Sequence, residues 1–261
     1  MPVIPPPWAT DFGQDRFGIY GKVMVEGVPF GFRWIPPGAF VMGAPEEEKG
    51  RRESEPLKEV EVTEGFWMLE TPVTQQMWLT IERKDPSHFE KVECPVERVS
   101  WEDCQSFIGQ LNQRIPRLNA ALPTEALWEY ACRAGTRSAF NDGSPCTKPQ
   151  GIDPALEKLG WYDRNSDART QAVREKDPNA WGLYDMHGNV WEWCQDETTE
   201  FGNSARRVVR GGSWNFSAGY CRSAARLAFV PEYRYGYLGF RLVAGQEFKP
   251  SPEDQTAGGR Y

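Results

Sequence analysis

Glycine and proline set the first limit on this chain. Its 261 residues carry 25 Gly and 21 Pro spread along the whole length, so long helices cannot dominate the fold. Short elements joined by turns are expected, and large rings must supply the cores. The apolar fraction is only 39%, yet it includes 11 Trp, 14 Phe and 9 Tyr, which bury much area per residue. A chain of this length admits one large domain or two small ones.

The residues to about Gly31 are rich in Pro and Gly and read as an N-terminal surface extension (1–31). The first clear strand, "FRWIPPGAFVMG", is interrupted at Pro36-Pro37-Gly38, which predicts a hairpin or a bulge. "APEEEKGRRESEP" has no apolar period and reads as a solvated charged loop. In "KEVEVTEGFWMLE", Val60 and Val62 alternate with acids, as in a strand. Three helices follow. Thr74 caps one with Met77, Trp78 and Ile81 on its apolar stripe. Ser100 and Asp103 form a near capping box before Cys104, Phe107, Ile108 and Leu111. Thr124 caps a third, with Leu127, Trp128 and Ala131 facing inward and Gly135 ending it. Beyond Ser138 come short aromatic strands and turns, so the class is α+β.

The net charge of −7 and the lack of a basic run argue against nucleic acid as a partner. No apolar stretch reaches the length of a membrane span, and "MPVIPPPWAT" has no signal-peptide core. A soluble protein, cytoplasmic by default, is expected. The six cysteines, Cys94, Cys104, Cys132, Cys146, Cys194 and Cys221, have no CxxC spacing; buried free thiols are the expectation.

Seven motifs occur in order: "IPPGAFVMG", "TPVTQQMW", "VERVSWEDC", "LPTEALWEYACRAGT", "NAWGLYDMHGNVWEWCQD", "RVVRGGSW" and "GFRLV". Together they resemble the formylglycine-generating enzyme (sulfatase-modifying factor) family from about Phe32 to Val243. The resemblance implies a C-type-lectin-like fold with short strands, few helices and much irregular loop. It also delimits a domain at 32–243, followed by a polar tail at 244–261 that has the composition of a disordered extension.

Fold does not carry activity with it. Formylglycine formation in that family implies two copper-binding cysteines just after the Gly-Gly-Ser-aromatic motif. Here "GGSWNFSAGYCRSAAR" holds Cys221 alone, and one thiolate cannot make the two-sulfur site that Cu(I) favours. Iron-dependent relatives imply three histidines, whereas the chain has two, His88 and His187, which read as surface or turn residues. A role in siderophore maturation stays open. Ser213 lacks a nucleophile elbow and a nearby histidine base, and no phosphate-binding glycine loop is present. The expectation is a protein that is not an enzyme and requires no cofactor. A structural Ca²⁺ is the one ion that the resemblance implies, on Asp185, Gly188, Val190 and Glu192, an all-oxygen set. The alternative is a turn held by hydrogen bonds, with Glu192 paired to an arginine.

Between "GGSW" and "LGFRLV" the frame resembles the variable region of retroelement-diversified proteins, a second group with the C-type-lectin fold. Randomised asparagine codons in such systems yield Phe, Ser, Tyr, Leu, Ala, Val, Gly and several others, but not Lys, Glu, Gln, Met or Trp. Phe216, Ser217, Tyr220, Leu227, Ala228, Phe229, Val230, Tyr233, Tyr235, Gly236 and Tyr237 all fall in the permitted set. The resemblance implies a variable ligand-binding segment at 215–237 and a protein as partner. Four Tyr and two Phe within it suit a contact surface, because Tyr offers large rigid area at little entropic cost. The alternative is that these rings are core.

Overall fold

The computed structural model describes residues 4–201 and 204–245. Strands β1 (Asp11–Asp15), β2 (Gly18–Val25) and β3 (Val28–Ile35) form an antiparallel meander. β4 (Gly38–Met42) pairs antiparallel with β5 (Lys58–Val62) in a separate two-stranded sheet. β6 (Phe66–Leu69) returns to the first sheet beside β3. Helices α1 (Gln75–Leu79), α2 (Trp101–Arg114), α3 (Glu125–Arg133) and the single turn α4 (Leu156–Leu159) follow. β7 (Trp191–Thr198), β8 (Arg206–Arg210), β9 (Arg226–Phe229) and β10 (Leu238–Phe240) build a second sheet in the order β10-β7-β8-β9. β11 (Val243–Ala244) closes the first sheet, ordered β1-β2-β3-β6-β11. The class is α+β, as expected.

The starts of α1, α2 and α3 match their sequence signals, although α1 ends at Leu79 and leaves the buried Ile81 in the turn beyond it. Thr74 Oγ1 accepts from the Met77 amide, Thr124 Oγ1 from Leu127, and Ser100 and Asp103 cap each other reciprocally. On α2, Cys104, Phe107, Ile108 and Leu111 are buried; on α3, Trp128 and Ala131 are, with Leu127 only half-buried.

Residues 4–31 are not a surface extension. β1, β2 and the start of β3 lie within them, and the Trp8 ring packs edge-on to Phe32 at 5.2 Å and Trp67 at 5.5 Å. The local signal was Glu26-Gly27 between two alternating runs. Both residues have positive φ (50° and 82°), as a two-residue type I′ hairpin requires. The Pro36-Pro37 break is neither hairpin nor bulge: without amide donors the chain leaves one sheet and begins another. "KEVEVTEGFWMLE" likewise divides into β5 and β6 in different sheets. All four residues of β6 are buried, as befits a strand between β3 and β11.

The charged loop is only partly solvated. Glu55 is buried and pairs with Arg222 at 2.8 Å, tying residues 45–55 to the C-terminal segment. At the other end, Ala244 is buried in β11; residues 246–261 of the expected tail lie outside the described residues. No helix among the described residues is long and apolar enough to cross a membrane.

Candidate functional site

The site is built on β7. Side chains alternate along a strand, so Trp191 and Trp193 face the main core while Glu192 points the other way. Glu192 meets Trp128 Nε1 at 2.6 Å and the Arg241 guanidinium at 2.9 and 3.2 Å. Above Trp191 sit Phe216 (centroids 5.4 Å apart) and Tyr220 (6.3 Å); Phe229 lies 6.4 Å from Trp193. Phe216 touches Tyr237 at 5.6 Å, and Phe229 meets Tyr233, Tyr235 and Tyr237 at 6.1 to 6.4 Å. Tyr235 and Tyr237 are stacked. Six rings from residues 216–237 thus form one continuous sheet of contacts.

Core and surface are not exclusive here. Phe216, Tyr220, Leu227, Phe229 and Tyr237 are half-buried, their inner edges against the core, while Tyr233 and Tyr235 are each 37% exposed. Leu227 and Phe229 share one face of β9 and Ala228 takes the other. Ala228 is buried against Val208 and is therefore not part of the surface. Ser217 precedes the 3₁₀ turn Ala218–Tyr220, its carbonyl accepting from the Tyr220 amide, and the Val230 carbonyl accepts from the Tyr233 amide. Residues 230–237 form turns rather than a strand, yet the tyrosines still converge. Burial and the neighbouring Tyr235 and Tyr233 hydroxyls push the Tyr237 hydroxyl up to about 12, so it stays a neutral donor. Arg52 covers Tyr220, with its guanidinium 3.6 Å from the ring centre.

The frame between these rings is held by arginines. Arg222 bonds to Glu55, Glu48 and the Gly50 and Gly219 carbonyls. Arg210 reaches Glu129 and the carbonyls of Ser223, Ala224 and Ala225. Arg226 forks onto Glu125 at 2.6 and 3.0 Å, and Arg234 onto Asp103 at 2.7 and 2.9 Å. Such paired bonds fix geometry as well as add energy. Gly212 matters for close approach: a Cβ there would lie 2.6 Å from Cys221 Sγ, and its φ of 77° is left-handed.

His187 is not a surface histidine. It is fully buried, with Nε2 accepting from the Asn141 amide at 3.1 Å and Nδ1 donating to the Cys221 carbonyl at 2.7 Å. Burial pulls it down to about 4, so it is neutral. His88 stays exposed, edge-on to Phe89. All six cysteines are buried and free, and burial pushes the Cys221 thiol well up.

The Asp185, Gly188, Val190 and Glu192 set does not fit a calcium ion. Both Glu192 oxygens are engaged by Arg241, which puts a fixed positive charge where the cation would need a ligand. Asp185 accepts from the Arg174 amide at 2.9 Å and from Asn189 at 3.1 Å; burial pushes it up to about 6. The hydrogen-bonded turn is the arrangement present.

A profile of the sulfatase-modifying factor enzyme 1-like domain matches residues 30–246. The chain belongs to this family. The formylglycine-generating enzyme of Streptomyces coelicolor is 36% identical over 174 residues, covering 57% of this chain and 52% of that one. The bovine inactive C-alpha-formylglycine-generating enzyme 2 is 31% identical over 188 residues, 69% of this chain and 59% of that one. This sulfatase-modifying factor domain thus spans little more than half the length of those relatives. Among solved structures it is similar to Treponema denticola variable protein 1, with a TM-score of 0.73 and 27% identity over 87% of this chain and 99% of that one. The family's C-type-lectin-like fold and the likeness to a variable protein are both in accord with the motifs.

Sequence reasoning missed Glu97, Phe89 and Trp214, which border the tyrosines. Trp214 Nε1 donates to the Gly236 carbonyl at 2.7 Å, and Phe89 meets Trp214 edge-on at 5.4 Å. Glu97 stood in "VERVSW", where nothing in the pattern distinguishes a buried acid from an exposed one.

Proposed function

We propose that this protein is a non-catalytic binder, displaying a retroelement-diversified surface on a C-type-lectin-like frame, and that its ligand is another protein. The observation that carries the reading is the aromatic sheet itself. Residues from three separate stretches, 216–220, 227–230 and 233–237, meet on one face, each anchored by rings beneath and by paired arginines beside it. Rigid, half-exposed tyrosines on a fixed support lose few rotamers on binding and make strong hot spots. The likeness to a variable protein supports the reading.

The experiment is to sequence the flanking DNA. Expected is a near-copy of the 3′ coding segment carrying Asn codons at the ten surface positions and at Ala228, beside a reverse transcriptase gene. Flanks with neither overturn the diversification reading.

A second reading, a divergent oxidase or maturation enzyme, is favoured by the 36% identity to a formylglycine-generating enzyme. Against it stands the lone Cys221 where that family implies two copper-binding cysteines, with nothing at Phe216 or Ser217 to replace the missing one. Stoichiometric copper or iron with oxygen consumption by the purified protein would establish this second reading at the expense of the first.

A further inference from the structure

Six glutamates are buried among the described residues. Glu55, Glu70, Glu125, Glu129 and Glu192 each pair with an arginine. Glu97 does not. Its Oε1 accepts from the His88 and Phe89 amides, the latter at 2.9 Å, while Oε2 has no partner among the described residues. An unpaired buried carboxylate is costly; burial pushes Glu97 up against the pull of the two amides.

The open oxygen lies beneath the tyrosines. A Cβ at position 236 would sit 3.4 Å from Glu97 Oε2 and 3.9 Å from both His88 Cβ and Phe89 Cε2. Gly236 is itself partly exposed and flanked by Tyr235 and Tyr237, with Trp214 bonded to its carbonyl. The Cβ position of residue 236 therefore abuts the buried carboxylate, one residue from Tyr235 and Tyr237 of the aromatic face. Ring faces attract cations, and a carboxylate at the inner end adds a charge-assisted hydrogen bond. A neutral group gains neither, and an anion is repelled.

We propose that Glu97 and the side-chain-free position at Gly236 form a subsite for a basic side chain, the guanidinium or ammonium of an Arg or Lys presented by the protein ligand. The inference rests on the display reading above. The ligand's cation takes the place that an internal arginine fills at the other five buried glutamates. Residue 236, one of the diversified positions, sets access: glycine opens the subsite and a larger side chain closes it.

The test uses n-butylguanidinium and n-butylammonium as probes and n-butanol as a neutral control, followed by amide NMR of the full chain. The His88 and Phe89 amides donate to Glu97 and report on it directly. Saturable shifts at these two amides are expected with both cations and not with butanol. Affinity is expected to fall about tenfold or more in Glu97→Gln and in Gly236→Ala, the loss of one charge-assisted bond. Gly236→Ala keeps the carboxylate and adds only a methyl in ordinary contact, so the test survives if Glu97→Gln folds poorly. No saturable shift, or unchanged affinity in Gly236→Ala, overturns the subsite. The outcomes separate the two readings: a template copy in the flanking DNA without a cation response sinks the subsite alone. A cation response without a template copy keeps the subsite and sinks the diversified display.

Discussion

Tyr235 and Tyr237 stack with centroids 4.9 Å apart and planes 8° from parallel, although neither lies in a strand. One ring is more than a third exposed and the other is half-buried. The pair therefore links solvent to core in a single step, and the two ends differ in what they contribute. Tyr233→Ser with Tyr235→Ser removes the two most exposed rings of the sheet, at an expected cost of about 1 kcal/mol and a Tm shift of about 2–4 °C. Phe229→Ser with Tyr237→Ser strips rings packed on Trp193 and Phe216, and at about 3 kcal/mol or more it lowers Tm several times further. Thermal unfolding of the two double variants checks this. Equal losses would mean that the outer tyrosines are core.

The buried pair Arg222–Glu55 crosses from the aromatic frame to the 45–55 loop at 2.8 Å, with both side chains fully buried. Glu55→Gln removes one of the two carboxylates on a fully buried guanidinium and leaves Glu48 as its counter-charge, so about 2–3 kcal/mol of stability is expected to go with it. Arg234→Ala breaks an exposed fork onto Asp103 and costs about 0–1 kcal/mol. Urea denaturation of each variant distinguishes them. A loss below about 1 kcal/mol in Glu55→Gln would deny the loop its anchoring role.

Much of this frame was legible in the sequence, because helix caps, apolar stripes and family motifs are local. Thr74, Ser100 and Thr124 are all observed caps. What escaped was long-range. Glu55 reads as one acid among many in a charged run, and only Arg222, 167 positions on, makes it a core residue. Ala228 reads as part of an apolar run until β9 pairing turns it inward. His187 reads as a turn residue until Cys221 and Asn141 close on its two nitrogens.

Two buried groups give opposite pH dependences. Burial holds His187 at about 4 against an ordinary 6.5, so on acidification the unfolded chain takes the proton first. Its contribution is complete above 6.5 and is lost as pH falls toward about 4. Burial raises Asp185 to about 6 from 3.8, so the folded chain keeps that proton longer. Stability from Asp185 is greatest below 3.8 and declines as pH rises toward about 6. Relative to the unsubstituted protein, Asp185→Asn is expected to gain stability as pH rises through this window, and His187→Gln to gain it as pH falls. Urea unfolding across the pH series measures both differences; parallel curves would contradict both.

Calcium follows from the Glu192–Arg241 pair. With both carboxylate oxygens held by the guanidinium, millimolar CaCl₂ and an equal concentration of chelator are expected to give the same Tm, since a ligand that binds the folded state must raise it. A calcium-dependent rise would mean that Arg241 yields Glu192 to the ion.

Gly236 offers a gain rather than a loss. Its φ is not left-handed, and a Cβ there would stand 3.4 Å from Glu97 Oε2. A serine hydroxyl at that position reaches the one buried glutamate oxygen that lacks a partner among the described residues and donates to it. Gly236→Ser is therefore expected to stabilise the fold by about 1 kcal/mol, the worth of one new hydrogen bond to a buried acceptor. Gly236→Ala adds only a methyl and the small entropic benefit of replacing glycine, about 0.4–1 kcal/mol. The decisive comparison is a cycle with Glu97→Gln, whose amide can turn its oxygen or its NH₂ toward residue 236. If the serine advantage over alanine is as large in the Glu97→Gln background as it is beside Glu97, the hydroxyl is not bonding to the charged oxygen, and the open acceptor beneath the tyrosines is satisfied in some other way.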